Sequence, residues 1–294
     1  MSERVTEPKQ VWSACFEAFG ITVVKFRCRA HVERQGPEEP NPTHSIALVR
    51  RGVFGRSRRG DTVLADANHI VFFNAGEPYR YSHPVPGGDD CTILTVETHR
   101  ALELVAGHAP RDAEDVAAPF RWGHALSDGR VALLHYEMLR LVRHGAARWA
   151  MEDALLELAD ESVGACYGSA APSTYREPPA RGTARRRRDL VETVKLAINR
   201  RLASPPALSE LAADCDCSPF HLSRTFRDSV GVPLRRYIRR LRTRVAADHL
   251  ARGAGDLTRL GLNLGYADHS HFTNTFRREW GIPPSLFRAR LGPG

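Results

Sequence analysis

A chain of 294 residues, 42% hydrophobic and 26% charged, has room for two domains and material for an ample core. No apolar run approaches the ~18 residues of a membrane span and the first twenty residues are mixed polar, so a cytoplasmic protein with reduced cysteines is expected. The net charge of +8 is unevenly held: residues 181–294 carry 22 Lys+Arg against 10 Asp+Glu (+12), and residues 1–180 carry 20 against 24 (−4). A polyanion is therefore one natural partner of the C-terminal part, and a solvated basic surface is the plainer reading.

Residues 21–97 read as β-structure. ITVVKFRCRAHV, HSIALVRRGVF, DTVLAD, HIVFFNAG, PYRYSH and CTILTVE are short runs rich in β-branched and aromatic residues, separated by Gly, Pro, Asn and Asp. Such spacing suggests a small barrel or jelly roll. The region resembles the cupin-like effector domains, and that resemblance implies a pocket in the barrel mouth lined by His44, Tyr79, Tyr81, His83 and Cys91, each of which alone also reads as a packed or surface residue. Metal-binding cupins carry an HxH pair and a later histidine. Here the pair falls on His44 and Ile46 and the later position on Tyr79, so no metal and no cofactor is expected there. A Cys/His metal set from Cys28, His83 and Cys91 is conceivable, but its spacing matches no standard site.

After residue 98 the period changes to that of helices. Val131, Leu134, His135, Met138, Leu141 and Val142 form one amphipathic pattern; Ala154, Leu155, Leu158, Val163 and Cys166 form another beyond a break at His144-Gly145. This pair either builds a homodimer or covers the open end of the barrel. Residues 168–188, rich in Pro, Gly, Ser, Ala and Arg, read as a linker ending in Arg185 to Arg188, a run suited to phosphates or to solvent. Leu190, Val191, Val194, Ile198 and Leu202 then mark a helix.

The last hundred residues contain an internal repeat. SPFHLSRTFRDSVGVPLRRYIRR, residues 218–240, returns as DHSHFTNTFRREWGIPPSLFRAR, residues 268–290. Each copy opens on a capping residue, Ser218 or Asp268, and stops at a glycine with proline two residues later. Each therefore predicts one short helix, with an inward stripe (Leu222 and Phe226; Phe272 and Phe276) and an outward line (Phe220, Ser223, Arg224 and Arg227; Ser270, Thr273, Asn274 and Arg277). A short helix and a tight turn, at Asp216-Cys217 and Gly265-Tyr266, precede each copy, which makes two helix-turn-helix units. Between them Leu234 to Arg252 predicts a connecting helix with Leu234, Tyr237, Ile238, Leu241 and Val245 on its apolar face.

Order, spacing and both closing motifs resemble the DNA-binding domain of the AraC family of bacterial transcription factors. The resemblance implies an α+β chain: a cupin-like barrel with a helical pair (residues 1–167), a linker (168–188) and an all-α double helix-turn-helix domain (189–294). It implies promoter DNA as partner, read by Phe220, Ser223 and Arg224 in the first unit and His269, Ser270, Thr273 and Asn274 in the second, with Arg227 and Arg277 on phosphates. It further implies a small-molecule effector, RNA polymerase as a second partner, and activation. Three positions depart from the family: Asn274 stands where arginine is frequent, Ala207 where a hydroxyl residue caps, and Gly261 where alanine is usual. Cys215 and Cys217 read as small core residues. A cupin enzyme tethered to DNA would need a metal or an acid/base pair, neither of which is assembled in the sequence, and a non-specific architectural protein would not need two unlike reading helices. The chain is therefore expected not to be an enzyme.

Overall fold

Period-two alternation becomes ten strands in the computed structural model, which describes residues 10–58, 61–168 and 181–292. In chain order they are β1 Gln10–Ala18, β2 Ile21–Cys28, β3 Glu39–Pro40, β4 His44–Gly52, β5 Phe54–Arg58, β6 Asp61–Ala65, β7 His69–Phe73, β8 Pro78–Ser82, β9 Asp89–Val96 and β10 His124–Leu126. Two antiparallel sheets result, one in the order β1-β2-β9-β4-β7-β10 and one in the order β3-β8-β5-β6. Of the expected barrel or jelly roll, the described residues show two sheets that share a core, without a closed ring of paired strands. β1 also lies outside the expected β-region. It joins β2 through Phe19-Gly20, both at positive φ (53° and 71°), a tight hairpin without the usual Asn-Gly or Asp-Gly signal.

Alternation along β4 decides which core each residue serves. Ala47 and Val49 face the space between the sheets, with Phe54, Ala65, Val71, Phe73 and Tyr79. Ile46 and Leu48 face the other way, into a core covered by α1 (Thr98–Ala106), α2 (Gly129–Arg143) and α3 (Arg148–Gly164). The helical pair therefore covers the outer face of the large sheet. The break between α2 and α3 holds Gly145 at φ 60°, where a side chain would strain the turn.

The C-terminal part is helical: α4 Arg181–Arg200, α5 Leu208–Asp214, α6 Pro219–Val230, α7 Leu234–Ala251, α8 Leu257–Asn263, α9 His269–Trp280 and α10 Pro284–Leu291. The expected linker is corrected at its end, since Arg185 to Arg188 belong to α4; residues 169–180 lie outside the described residues. Leu222, Phe226, Leu234, Tyr237 and Leu241 share one core with Val191, Val194 and Ile198. Phe272, Phe276, Trp280 and Phe287 share another with Tyr136 and Leu139 of α2. No described helix is long and apolar enough to cross a membrane.

Candidate nucleic-acid interface

The two repeated helices, α6 and α9, are built by the same local devices. Ser218 Oγ accepts the His221 amide at 3.1 Å, and Asp268 Oδ1 accepts the His271 amide at 2.7 Å, so each helix starts on a true cap. Each ends on a left-handed glycine, Gly231 at φ 84° and Gly281 at φ 75°. The turns before them also need positive φ, supplied by Asp216 (49°) and Gly265 (80°). A Cβ on Gly265 would stand 1.8 Å from the Ala203 carbonyl oxygen, so backbone proximity as well as conformation requires glycine. Ala207 leaves α5 without a side-chain cap, but the Glu210 carboxylate reaches back to accept the Ala207 amide at 2.7 Å, which offsets part of the deficit.

Burial separates the two faces of each helix as the stripe requires. In α6, Leu222, Thr225 and Phe226 are buried while Phe220, Ser223, Arg224 and Arg227 are exposed. Phe220 is 78% exposed, an unusual state for a phenyl ring and one that suits a surface that receives a partner. In α9, Phe272, Thr275 and Phe276 are buried while His269, Ser270, Asn274 and Arg277 are exposed. Thr273 differs: it is half-buried, and its hydroxyl has no hydrogen-bond partner among the described residues. Arg224 stands 3.6 Å from the Asp228 carboxylate one turn on, a solvated pair that an incoming phosphate or base can displace at little cost.

The helical part is fastened to the sheets chiefly through α4 and α7. Asp66, in the turn between β6 and β7, receives the Asn199 amide at 2.9 Å and the Tyr237 hydroxyl at 2.6 Å. Asn68 Nδ2 donates to the Tyr237 carbonyl at 3.1 Å, and Arg244 donates to the carbonyls of Ser127 and Asp128 at 2.6 and 2.8 Å. Burial pulls the Arg244 guanidinium down to about 10; the two carbonyls take the Nη2 hydrogens, and Nη1 donates to Ser127 Oγ at 3.2 Å. Beyond them Arg252 pairs with Asp90 at 2.7 Å. These contacts were invisible in the sequence, although the burial of Thr243, Arg244 and Asp248 shows that α7 is enclosed on more than its apolar stripe.

The five residues expected to line an effector pocket are only partly brought together. Tyr79 and Cys91 border the space between the sheets and Tyr81 packs against it, but Tyr79 is fully buried, with its hydroxyl between the Asn74 amide and Glu77. His83 is not part of that core and stands beside Cys28, with Nε2 3.5 Å from its Sγ. His44 is separate: its parity along β4 is that of Ile46, and it packs on Phe120 with Nδ1 accepting the Ala75 amide at 3.1 Å. Burial lowers its pKa. A small cavity, about 10 Å³, lies instead between the large sheet, α2 and α7, bordered by His69, His135, Tyr136 and Arg244; that is room for about one water.

Comparison with known proteins places the helical part. The helix-turn-helix domain family matches residues 211–290. The transcriptional activator AarP of Providencia stuartii is 30% identical over 99 residues, which cover 34% of this chain and 73% of that protein. The bifunctional transcriptional activator/DNA repair enzyme AdaA of Bacillus subtilis is 28% identical over 98 residues, 33% of this chain and 46% of AdaA. The activator RhaS of Escherichia fergusonii is 40% identical over 68 residues, 23% of this chain and 24% of RhaS. The chain thus spans less than half the length of two of these three relatives. Among solved structures, ToxT of Vibrio cholerae covers 93% of this chain and 98% of its own at 8% identity, with a TM-score of 0.35. From the duplicated capped helices, the domain match over residues 211–290 and the likeness to AarP across most of that protein, the chain belongs to the AraC family of transcriptional regulators.

Proposed function

We propose that the protein is a sequence-specific DNA-binding regulator that activates transcription, with α6 and α9 lying in successive major grooves and a small-molecule effector taken up by its cupin-like N-terminal sheets. The observation that carries the reading is the repeated helix that buries one stripe and exposes the opposite line, Phe220, Ser223, Arg224 and Arg227 in one copy and Ser270, Asn274 and Arg277 in the other, with Thr273 half-buried. α7, eighteen residues long, separates the copies by roughly 27 Å of helix at ~1.5 Å per residue, close to the ~34 Å between groove faces on one side of B-DNA. In this arrangement Phe220, Ser223 and Arg224 meet bases in one groove, and His269, Ser270, Thr273 and Asn274 do so in the next. Arg227 and Arg277 hold phosphates. The +12 charge of residues 181–294 supports a polyanionic partner. That AarP and RhaS are named as activators favours activation, with RNA polymerase as the second partner.

The enzyme half of AdaA's name does not carry over, because the match is confined to about a third of this chain. Selection of bound sequences from a random duplex pool tests the proposal. A two-part motif whose halves lie about one helical turn apart is expected. A pool that returns no motif would sink sequence-specific reading and favour an architectural role.

A further inference from the structure

We infer that Cys28, His83 and Asp89 form a binding site for one thiophilic divalent ion of the Zn²⁺ class. The site is built by three separate segments. Cys28 ends β2, Asp89 begins β9, and the two are cross-strand partners, which puts both side chains on one face. His83 arrives from the end of β8 and is fixed by its backbone pairing with Val32. All three residues are buried, and one ligand atom from each lies within 4.8 Å of the other two.

The internal geometry is that of donors converging on a shared point. Cys28 Sγ stands 3.5 Å from His83 Nε2, close to the ligand-to-ligand spacing of roughly 3.5 Å that follows from zinc–sulfur and zinc–nitrogen bonds at a tetrahedral angle. His83 Nδ1 stands 2.9 Å from Asp89 Oδ1, yet the approach angle makes no hydrogen bond, and both atoms are buried without a hydrogen-bond partner among the described residues. A buried carboxylate oxygen is costly to leave unpaired, and an ion held through Nε2 beside Cys28 satisfies Asp89 Oδ1. The Cys91 thiol donates to the other Asp89 oxygen at 3.2 Å and orients the carboxylate as an outer partner does around a metal.

Thiolate, imidazole and carboxylate together suit Zn²⁺ better than Mg²⁺ or Ca²⁺, which favour all-oxygen sets, and three protein ligands leave a fourth position for water or a small molecule. The location is also informative. Pro84, next to His83, accepts from Arg200 of α4 at 3.3 Å, and Asp90, next to Asp89, pairs with Arg252 at 2.7 Å. The cluster is one residue away from two cross-links to the helical part. The inference goes beyond the regulator reading and stands or falls independently of it.

The test uses the full-length protein freed of metal by a chelator and titrated with Co²⁺, whose thiolate charge-transfer absorption reports a cysteine ligand. One equivalent should bind with that absorption, be displaced by Zn²⁺, and raise the thermal midpoint. Cys28→Ser should abolish the absorption, Asp89→Asn should weaken binding by roughly tenfold or more, and Cys15→Ser, outside the cluster, should change neither. Because Cys28→Ser could fail to fold, alkylation of wild-type Cys28 is followed by peptide mapping with and without Zn²⁺. Slower alkylation with the ion supports the site. Absence of the charge-transfer band, its persistence in Cys28→Ser, or alkylation indifferent to Zn²⁺ would overturn it; rapid ion-independent alkylation would make Cys28 a free thiol assisted by His83.

Discussion

The Tyr237 hydroxyl donates to Asp66 Oδ2 at 2.6 Å, and this one bond ties the helix between the two helix-turn-helix units to a turn of the sheets. Burial alone would raise the Asp66 carboxyl, but His69, Tyr237 and Asn199 outweigh it and hold the group well below the usual carboxylate range. The second copy is an internal control. Phe287, equivalent to Tyr237, is equally buried but has no hydroxyl and packs on Trp280 at 4.9 Å. Tyr237→Phe therefore keeps the ring and removes a hydrogen bond to a buried charge, for an expected loss of about 1.5–3 kcal/mol in urea unfolding. Unchanged stability would mean that another donor replaces the hydroxyl.

Arg224 and Arg277 should respond differently to removal. Arg224 is 70% exposed at the side chain on the α6 line and suits the bidentate pairing with guanine O6 and N7. Arg224→Ala is expected to weaken binding to the selected motif by about 1–3 kcal/mol and leave binding to random duplex nearly intact. Arg277→Ala should weaken both alike and reduce the salt dependence by about one charge. Competition titrations at two salt concentrations separate the two outcomes, and equal losses for Arg224→Ala on both DNAs would refute base reading.

How much of this was legible in the sequence depends on whether the signal was local. The caps Ser218 and Asp268, the closing glycines and the buried Leu222/Phe226 and Phe272/Phe276 stripes are short-range features, and the structure places each where the repeat predicts. Partnerships across the chain were not legible. Asp89 joins Cys28 only through the β2–β9 register, and His44 leaves the expected pocket because β4 parity turns it to the opposite face. Arg244 carries no periodic signal, since its partners are the backbone carbonyls of Ser127 and Asp128, over a hundred residues away. β1 escaped because Val11 and Trp12 are exposed, so its pattern does not alternate.

Acid should loosen the protein well before its carboxylates titrate. His135 is buried with Nε2 at 2.7 Å from the Thr92 hydroxyl; burial, aided by Arg50 and Arg244, holds its pKa down to about 3. Above pH ~6.5 the imidazole is neutral in both folded and unfolded chains and contributes no pH dependence. Below that value the unfolded chain takes up the proton and the folded chain does not, so stability falls by about 1.4 kcal/mol per pH unit until the folded pKa is reached. At pH 5 His135 alone accounts for about 2 kcal/mol. His124, also lowered by burial, acts in the same direction. Unfolding free energies at pH 7 and pH 5 check this: His135→Gln should show a shallower pH dependence than the parent chain.

Gly261 sets how closely α8 approaches α9. A Cβ there would lie 2.9 Å from Phe272 Cβ and 3.1 Å from its Cγ, the near end of a ring that is fully buried and cannot swing away. Helix propensity favours alanine over glycine by up to ~1 kcal/mol, whereas forcing a methyl into a packed contact costs about 1–3 kcal/mol. The steric effect should win, so Gly261→Ala is expected to lower stability by about 1 kcal/mol and to push α9 away from α8. The displaced helix would carry His269, Ser270 and Asn274 with it, and affinity for the selected motif should fall more in the half read by α9 than in the half read by α6. Thermal unfolding together with binding to half-site-scrambled duplexes measures both effects. A rise in thermal midpoint on Gly261→Ala would show that propensity outweighs the contact and that the close approach of α8 and α9 is not what this glycine secures.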